Sequence, residues 1–390
     1  MNIREIKGQH IAQRAHIVRH GDIWLVPSQA GKGNYKVNPE KPYCSCPDFE
    51  FRQQPCKHIF AVEIVERTKT TVTENGKTVV TETVKVTRQT YKQEWPAYNK
   101  AQTQEKRLFQ YLLHQLCQGV GEPAQTNGRP RLPLEDMIFS MCFKVYSTVS
   151  GRRFMSDMKD AHGKGYTSKL PCYNSIINYF EDDMLTPYLQ MLIEESALPL
   201  QAIETDFAVD SSGFAACRFL QWMHAKYSDP HIIEKRDWLK AHICCGVKTN
   251  VVTAVEITDK YKGDSPLFKP LVERTAESFV VNEVSADKAY LSGGNMQTVV
   301  NAHGMPYIAF KANSSAKYKK QSALWKQMFH YYSYNTERFM KAYHKRSNVE
   351  TTFHMIKAKF GDALRSKTER AQINELLCKV LCHNICCLIQ

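Results

Sequence analysis

The chain has 390 residues, enough for two or three domains that each bury a core of their own. Its 52 Lys and Arg residues outnumber its 39 Asp and Glu residues, and the net charge of +13 favours a polyanionic partner, although a generic basic protein has the same balance. The 13 cysteines follow no disulfide framework, no signal peptide is recognisable, and no apolar run approaches the roughly 18 residues of a membrane helix. We therefore expect a cytoplasmic protein that contacts no membrane.

Residues 1–68 are predicted to form a small module that is folded by a metal ion. Two short predicted strands, within 22–27 and 34–37, precede three thiols and one imidazole, which are Cys44, Cys46, Cys56 and His58. These four groups make a complete tetrahedral set for one structural Zn²⁺ and leave no open coordination position. Cys56 and His58 fall at the start of a helix that is predicted to reach about Arg67. The order of strands, ligands and helix resembles the SWIM zinc finger. Whether the module binds DNA or protein stays open.

Residues 69–104 are predicted to be a β-hairpin or a linker. β-Branched residues on both sides of Asn75-Gly76 favour a type I′ turn. Such a hairpin would extend the zinc module or form a dimer contact. A plain spacer is the preferred interpretation of its Thr, Val and Lys composition.

Residues 105–200 are predicted to be helical, with helices at 105–117, 134–149, 152–160 and 172–180. The short turns between the last three are consistent with a helix-turn-helix-like DNA-binding region whose third helix enters the major groove. A bundle that only supports the neighbouring domain fits the same pattern equally well.

A short cationic segment, Gly128-Arg129-Pro130-Arg131, lies within this region. It is extended and narrow, so Arg129 and Arg131 are candidates for contacts in an A·T-rich minor groove. The segment resembles the core of an AT-hook, and a basic linker explains it at least as well.

Residues 201–390 alternate between strand and helix patterns, which predicts an α/β fold with a mixed sheet flanked by helices. Strands are predicted to end at Asp210 and Asp287 and to lie at 241–247, 251–257 and 306–310. Helices are predicted at 266–275, 294–302 and 376–388. A small insertion at about 313–336 interleaves Lys with Tyr, as a phosphate track with base-stacking rings would; a polar surface loop is the alternative.

Three carboxylates in this region suit phosphoryl transfer. Asp210 and Asp287 follow apolar runs, and Glu350 shares a helical stripe roughly 60° wide with Tyr343, Arg346 and Lys357. Two Mg²⁺ ions held about 4 Å apart by such carboxylates would activate the attacking oxygen and stabilise the leaving oxygen. Each Asp alone is more often a turn or cap residue, and the helical stripe alone is more often a solvated face.

The three segments around these carboxylates resemble the motifs of bacterial insertion-sequence DDE transposases. They are Val209-Asp210-Ser-Ser-Gly213, Ala286-Asp287-Lys288-Ala-Tyr290 and Tyr343-x2-Arg346-x3-Glu350-x6-Lys357. The last matches the signature of the Tyr-Arg-Glu-Lys group, spacing included. Asp206, four residues before Asp210, is the less favoured candidate, because the turn predicted after Asp210 matches the family motif.

This resemblance implies an RNase H-like catalytic core at 201–390, with Asp210, Asp287 and Glu350 as catalytic residues and as ligands of two Mg²⁺ or Mn²⁺ ions. It implies cleavage at the terminal inverted repeats of an element and joining to target DNA, by a homodimer on double-stranded DNA at the bacterial nucleoid. The residues assigned to DNA contact are Tyr343, Arg346, Lys357, Lys288, Tyr290, Arg129 and Arg131.

Two alternatives stay open. One is a non-catalytic, element-derived DNA-binding protein, and the other is a metal-dependent nuclease that cuts without joining. A tyrosine recombinase with Tyr343 as nucleophile is disfavoured, because such a site needs a cluster of Arg and His rather than three carboxylates.

Overall fold

A computed structural model describes residues 3–20, 22–28, 33–39, 42–70, 95–122, 131–216, 238–311, 314–315 and 322–389. The chain divides into two compact units, Met1–Lys85 and Val86–Gln390. The hairpin predicted around Asn75-Gly76, the side chain of Arg129 and the basic residues of 317–320 lie outside the described residues.

The first unit is a small antiparallel sheet covered by helices. Its elements are α1 (Ile3–Arg14), β1 (Val18–His20), β2 (Ile23–Pro27), β3 (Asn34–Asn38), β4 (Tyr43–Cys44), α2 (Pro47–Arg52) and α3 (Lys57–Thr70). The strands pair in the order β1-β2-β3-β4, and the alternation of β2 buries Trp24 and Val26. Helix α1 crosses α3 closely: a Cβ on Gly8 would lie 2.7 Å from the Cβ of Phe60.

The second unit begins with the helices α4 (Trp95–Cys117), α5 (Leu134–Ser147), α6 (Gly151–Gly163), α7 (Tyr173–Phe180) and α8 (Leu185–Ala197). Four of them match the predicted helices, although α4 starts ten residues earlier than expected. Helix α8 was not predicted. Each buries an apolar stripe, as Phe154, Met158 and Ala161 do in α6.

A mixed sheet follows, built among the described residues from β5 (Asp206–Ala215), β6 (Trp238–Gly246), β7 (Val252–Asp259), β8 (Glu283–Ala286) and β9 (Met305–Ile308). The strand order is β7-β6-β5-β8-β9. Strand β6 is antiparallel to both of its neighbours, whereas β5, β8 and β9 run parallel to one another. This confirms the predicted α/β class and the mixed sheet.

Helices cover both faces of the sheet. They are α9 (Ser265–Ser278), α10 (Gly293–Asn301), α11 (Ala323–Tyr334), α12 (Thr336–Tyr343), α13 (Ser347–Phe360) and α14 (Glu369–Ile389). Short 3₁₀ turns lie at Leu198–Leu200, Lys288–Tyr290 and His344–Arg346.

The sheet separates two apolar cores. Along β5, Ala208 and Phe214 belong to the core that also contains α4–α8, α13 and α14. Phe207 and Val209 point to the opposite core, with α9–α12. The helices of 95–197 therefore share a core with one sheet face.

Helix α14 lies at the centre of the first core. It is long and apolar enough to cross a membrane, with a mean hydropathy of 1.2 in its best window, but 78% of that window is buried inside the structure. Its burial is that of a core helix in a folded domain, and buried polar residues, among them Asn374, Lys379 and Asn384, interrupt its apolar side chains.

The predicted insertion at 313–336 contains a helix. Tyr331 and Tyr332 of α11 pack against the second core and contact Phe339, with ring centroids 5.9 and 5.1 Å away. These two rings are therefore packing residues, contrary to the prediction that they stack on a base. Tyr334 is 81% exposed.

Candidate active site

The centre of the sheet brings Asp210 and Asp287 together. Strands β5 and β8 are parallel neighbours, and Val209 is paired with Ala286. The next residue along each segment is one of the two aspartates, so both lie just beyond this register pair. Asp287 then caps the 3₁₀ turn Lys288–Tyr290, where β8 has ended.

Strand β5 does not end at Asp210, as the sequence predicted. It continues through Ser211, Ser212 and Gly213 and stays paired with β6 as far as Ala215. Gly213 is explained by close packing rather than by a turn. A Cβ at this position would lie 3.0 Å from Cδ1 of Trp238. Asp210 is therefore paired with Ile243 of β6 and lies inside a continuous paired strand, which limits its movement.

Glu350 comes from the helical segment that crosses this sheet face. The predicted single helix over Tyr343–Lys357 is interrupted, because α12 ends at Tyr343, a 3₁₀ turn covers His344–Arg346, and α13 begins at Ser347. Glu350 lies in the first turn of α13, where the helix dipole favours a negative charge. Its side chain is 56% exposed.

Arg346 connects two of the three carboxylates. Its Nη1 lies 3.3 Å from Oδ2 of Asp210, and its Nη2 lies 3.0 Å from Oε1 of Glu350. The third carboxylate is reached through Tyr343, whose hydroxyl donates to Oδ1 of Asp287 at 3.4 Å. The guanidinium also lies 5.9 Å from the centroid of the Tyr343 ring. These contacts join the three predicted acidic residues into one cluster.

The charge of Asp210 is costly in this position. Burial raises the pKa of its carboxyl, the Ser211 N–H and Arg346 act in the opposite direction, and the neighbouring Asp287 and Glu350 raise it again. Carboxylate oxygens are the ligands that Mg²⁺ prefers. The Arg346 guanidinium already bridges two of these acids, so a positive charge is stable between them. The three carboxylates therefore fit a divalent cation.

Lys357 lies further along the same face. Its Nζ donates to Oγ of Ser212 at 2.8 Å and lies 4.9 Å from the centroid of the Phe214 ring. Burial lowers the pKa of this ammonium group. Lys357 therefore stands beside the carboxylate cluster without contacting a carboxylate in it.

The first unit contains a second candidate metal centre. Cys44, Cys46, Cys56 and His58 are all buried, and their ligand atoms lie within 4.8 Å of one another. The Nδ1 of His58 is 3.8 Å from Sγ of both Cys44 and Cys56. Zinc bond lengths of about 2.3 Å to sulfur and about 2.0 Å to nitrogen place such ligands roughly 3.5 Å apart, so the set fits Zn²⁺. Nδ1 is therefore the ring nitrogen of His58 that faces the thiols. Its Nε2 is buried and has no hydrogen-bond partner among the described residues.

The thiols of this cluster compete for protons. The hydrogen bond from the Cys44 thiol lowers the pKa of Cys56 to about 4, with a further contribution from His58. The pKa of Cys44 is raised by the same contact, and burial raises the pKa of Cys46. A cation that replaces these protons would relieve the competition among the thiols.

Comparisons with known families match both regions. Residues 202–385 match the model of the transposase DDE domain, and residues 30–66 match the SWIM zinc finger. The chain carries a transposase DDE domain and a SWIM zinc finger. No curated protein matches the chain. Among solved structures it is similar to a chain in the cryo-EM structure of the piggyBac transposase synaptic complex with hairpin DNA, with 11% identity over 75% of this chain and 73% of that chain and a TM-score of 0.34.

Tyr290 of the DDE domain does not lie where the sequence predicted. It is 1% exposed, packs against Phe268 at 5.7 Å between ring centroids, and belongs to the second core. The 3₁₀ turn after β8 directs this ring into the core, where it packs beneath the site. The predicted direct contact of Tyr290 with DNA is therefore wrong. Lys288, two residues earlier, is exposed, as is Arg131.

Asp206 has a different neighbourhood from Asp210. Nζ of Lys345 lies 2.7 Å from Oδ2 of Asp206 and 2.6 Å from Oε2 of Glu283. Asp206 and Glu283 are register partners on β5 and β8. This ion-pair group was not predicted from the sequence, where the adjacent charges of Lys345 and Arg346 were the available signal.

A second polar group, also missed from the sequence, lies on the other face of β5. Oγ of Ser211 donates to Oδ1 of Asp264 at 3.1 Å, and Nζ of Lys240 is 3.0 Å from the same oxygen. His242 is fully buried beside them, and burial lowers its pKa to about 4. This group borders the DDE site because Ser211 directly follows Asp210.

Proposed function

We propose that this chain is a DNA transposase that cleaves the terminal inverted repeats of an insertion sequence and joins the freed ends to target DNA. The observation that carries the proposal is the convergence of Asp210, Asp287 and Glu350, connected by Arg346 and Tyr343, inside a transposase DDE domain.

We further propose an RNase H-like core and membership of the Tyr-Arg-Glu-Lys group from bacteria. The strand order β7-β6-β5-β8-β9, with β6 antiparallel to its neighbours, supports the fold assignment. The signature residues Tyr343, Arg346 and Glu350 lie together at the acidic cluster, and this contact supports the group assignment more strongly than their spacing does.

Asp210, Asp287 and Glu350 would hold two Mg²⁺ or Mn²⁺ ions. When bound, such ions supply Lewis-acid activation of the attacking oxygen and stabilisation of the leaving oxygen. The chain itself contributes the rest of the site. The strand pairing of β5 holds Asp210 in place, Tyr343 orients Asp287, and Arg346 and Lys357 present positive charge along one face of the sheet for phosphates near the scissile bond.

The net charge of +13 supports double-stranded DNA as the partner. We propose that the protein acts as a homodimer on DNA in the bacterial cytoplasm, associated with the nucleoid. Within it, α5–α7 would serve as the helix-turn-helix-like region with Arg129 and Arg131 as minor-groove contacts, and one Zn²⁺ would hold the SWIM module. Exposed Lys288 is the candidate phosphate contact nearest to Asp287.

The test is cleavage and joining of DNA that carries the sequences flanking the gene, with Mg²⁺, by the wild type and Glu350→Gln. We expect joined products from the wild type and none from Glu350→Gln. The exposed Glu337→Gln on α12 is the matched control, because it removes the same charge away from the cluster.

Other products would favour the other functions. Metal-dependent cutting without joining would identify a nuclease. Binding without cutting in every variant would identify a non-catalytic DNA-binding protein and overturn the proposal.

A further inference from the structure

We propose that the Arg346 guanidinium is the internal counter-cation of the acidic cluster, which a divalent metal must displace before it binds. The displaced guanidinium would then be available for a DNA phosphate, so that metal binding and DNA binding are coupled. This inference rests on the proposed function and adds a positioning role for one residue of the same site.

The contacts of Arg346 occupy one oxygen of each of two carboxylates that would hold a metal. One guanidinium nitrogen lies 3.3 Å from Asp210 and the other lies 3.0 Å from Glu350. These carboxylates come from a strand and a helix that are far apart in sequence. A group that bridges them from between the two elements lies in the space where a shared ion would bind.

Among the described residues, no other cation forms an ion pair with these three acids. Lys345 is bound to Asp206 and Glu283, and Lys357 donates to Ser212. Three carboxylates this close repel one another, and the proximity of Asp287 and Glu350 is one reason why the pKa of Asp210 is raised. The positive charge of Arg346 reduces this repulsion until a stronger cation arrives.

The guanidinium is bound incompletely, so its displacement is feasible. Its Nε is buried and has no acceptor among the described residues. The 3.3 Å contact with Asp210 is long for a charge-assisted hydrogen bond, which is usually about 2.7–2.9 Å. Half of the Glu350 side chain is open to solvent, so one end of the bridge can be released without unfolding.

A phosphate is a suitable second partner for this side chain. The planar guanidinium donates two parallel hydrogen bonds to phosphate oxygens as readily as to carboxylates. If metal binding frees Arg346, the affinity for DNA should rise when the metal is present. By linkage, DNA should increase the affinity for the metal by the same factor.

The experiment is calorimetric titration of the full chain with Ca²⁺, in the absence of DNA, for the wild type, Arg346→Gln and Lys357→Gln. We expect Arg346→Gln to bind Ca²⁺ about tenfold more tightly, which corresponds to about 1.4 kcal/mol. Lys357→Gln removes an equal charge that touches no carboxylate of the cluster, so its change should be much smaller. An Arg346→Gln affinity equal to or weaker than that of the wild type would overturn the inference.

A second measurement covers the case in which Arg346→Gln does not fold. The affinity of the wild type for a short DNA duplex is measured by fluorescence anisotropy with and without Ca²⁺. The same pair of measurements is made on Arg346→Lys, which keeps the positive charge but loses the bidentate bridge. We expect Ca²⁺ to tighten DNA binding in the wild type and to do so less in Arg346→Lys. Equal enhancement in both proteins would contradict the coupling.

The two proposals fail differently. If neither the wild type nor any variant binds a divalent cation at this site, the proposed function fails. If the wild type binds Ca²⁺ and Asp210→Asn abolishes binding, but Arg346→Gln changes nothing, only the role of Arg346 fails.

Discussion

The two candidate metal centres of this chain are built in opposite ways. The ligands of the zinc centre come from one short stretch, Cys44 to His58, and all four are buried. The ligands of the acidic centre come from β5, the end of β8 and α13, and Glu350 is 56% exposed. The first set fits an ion that holds a small module together, whereas the second is held by a large fold and keeps an open side. This contrast supports the proposal that one metal serves folding and the other serves chemistry.

The largest effect is expected when the zinc centre is damaged. Cys56→Ser removes a thiolate from a four-ligand set, and structural Zn²⁺ in small modules contributes roughly 10–16 kcal/mol of apparent binding free energy. We expect residues 3–70 to lose their protection in hydrogen exchange while the DDE domain keeps its own. Bound zinc, measured by mass spectrometry, should fall from one per chain to none.

Cys172→Ser is the matched control, because Cys172 is exposed and lies outside the cluster. Loss of hydrogen-exchange protection throughout the DDE domain in Cys56→Ser would contradict the claim that the zinc centre stabilises only the first unit.

Damage to the acidic centre should affect reactivity and leave folding intact. Replacing residues that only orient a metal ligand typically costs 10- to 100-fold in activity, so loss of a ligand itself should cost more than about a hundredfold. We expect Asp287→Asn to reduce the rate of DNA cleavage by at least that factor, with hydrogen exchange of both units unchanged. Global unfolding of Asp287→Asn would show that this centre is structural, like the zinc centre.

Acid should lower the free energy of unfolding of the DDE domain through two buried histidines. Burial lowers the pKa of His383 to about 4, as it does for His242. The unfolded chain, with a pKa near 6.5, binds more protons between pH 6.5 and 4, so stability falls as the pH falls through this window. Each histidine should cost about 2 kcal/mol at pH 5 relative to neutral pH.

Urea denaturation of the DDE domain signal at pH 7 and pH 5 checks this value. His383→Gln should be less stable than the wild type at pH 7 and should show a smaller loss on acidification. An unchanged difference between the two pH values would show that His383 does not control acid stability.

The smallest effect concerns a surface cation beside the acidic centre. Lys288→Gln should weaken DNA binding slightly and equally for all sequences, because it would remove one phosphate contact. The slope of log affinity against log salt should decrease in magnitude by about 0.9. Anisotropy titrations at several salt concentrations measure it, with Lys269→Gln on the exposed side of α9 as control. An unchanged slope would show that Lys288 does not contact a DNA phosphate.

The cluster of three cysteines and one histidine was predictable because its members are close in the chain and their spacing alone brings them together. The residue types and motif spacing of the three acids also pointed to side chains that the fold brings close to one another. Their environment was harder to predict. The continuation of β5 past Asp210 depends on its pairing with β6, and the burial of Tyr290 depends on the 3₁₀ turn after β8.

Ion pairing was the least predictable feature. Arg346 and Lys345 are neighbours in sequence, yet one bridges Asp210 and Glu350 and the other bridges Asp206 and Glu283. Both cations lie in the 3₁₀ turn His344–Arg346 that interrupts the helix. Their adjacent charges signal ion pairing, but no local pattern shows which cation meets which acid.

The most direct test is the anomalous scattering of Mn²⁺ in crystals of the wild-type protein soaked with MnCl₂. The account predicts an anomalous peak within about 2.2 Å of carboxylate oxygens of Asp210, with Asp287 or Glu350 as a further ligand and the Arg346 guanidinium moved away from the cluster. A well-ordered site without a peak, in crystals whose zinc centre is occupied, would contradict a catalytic metal at these three residues.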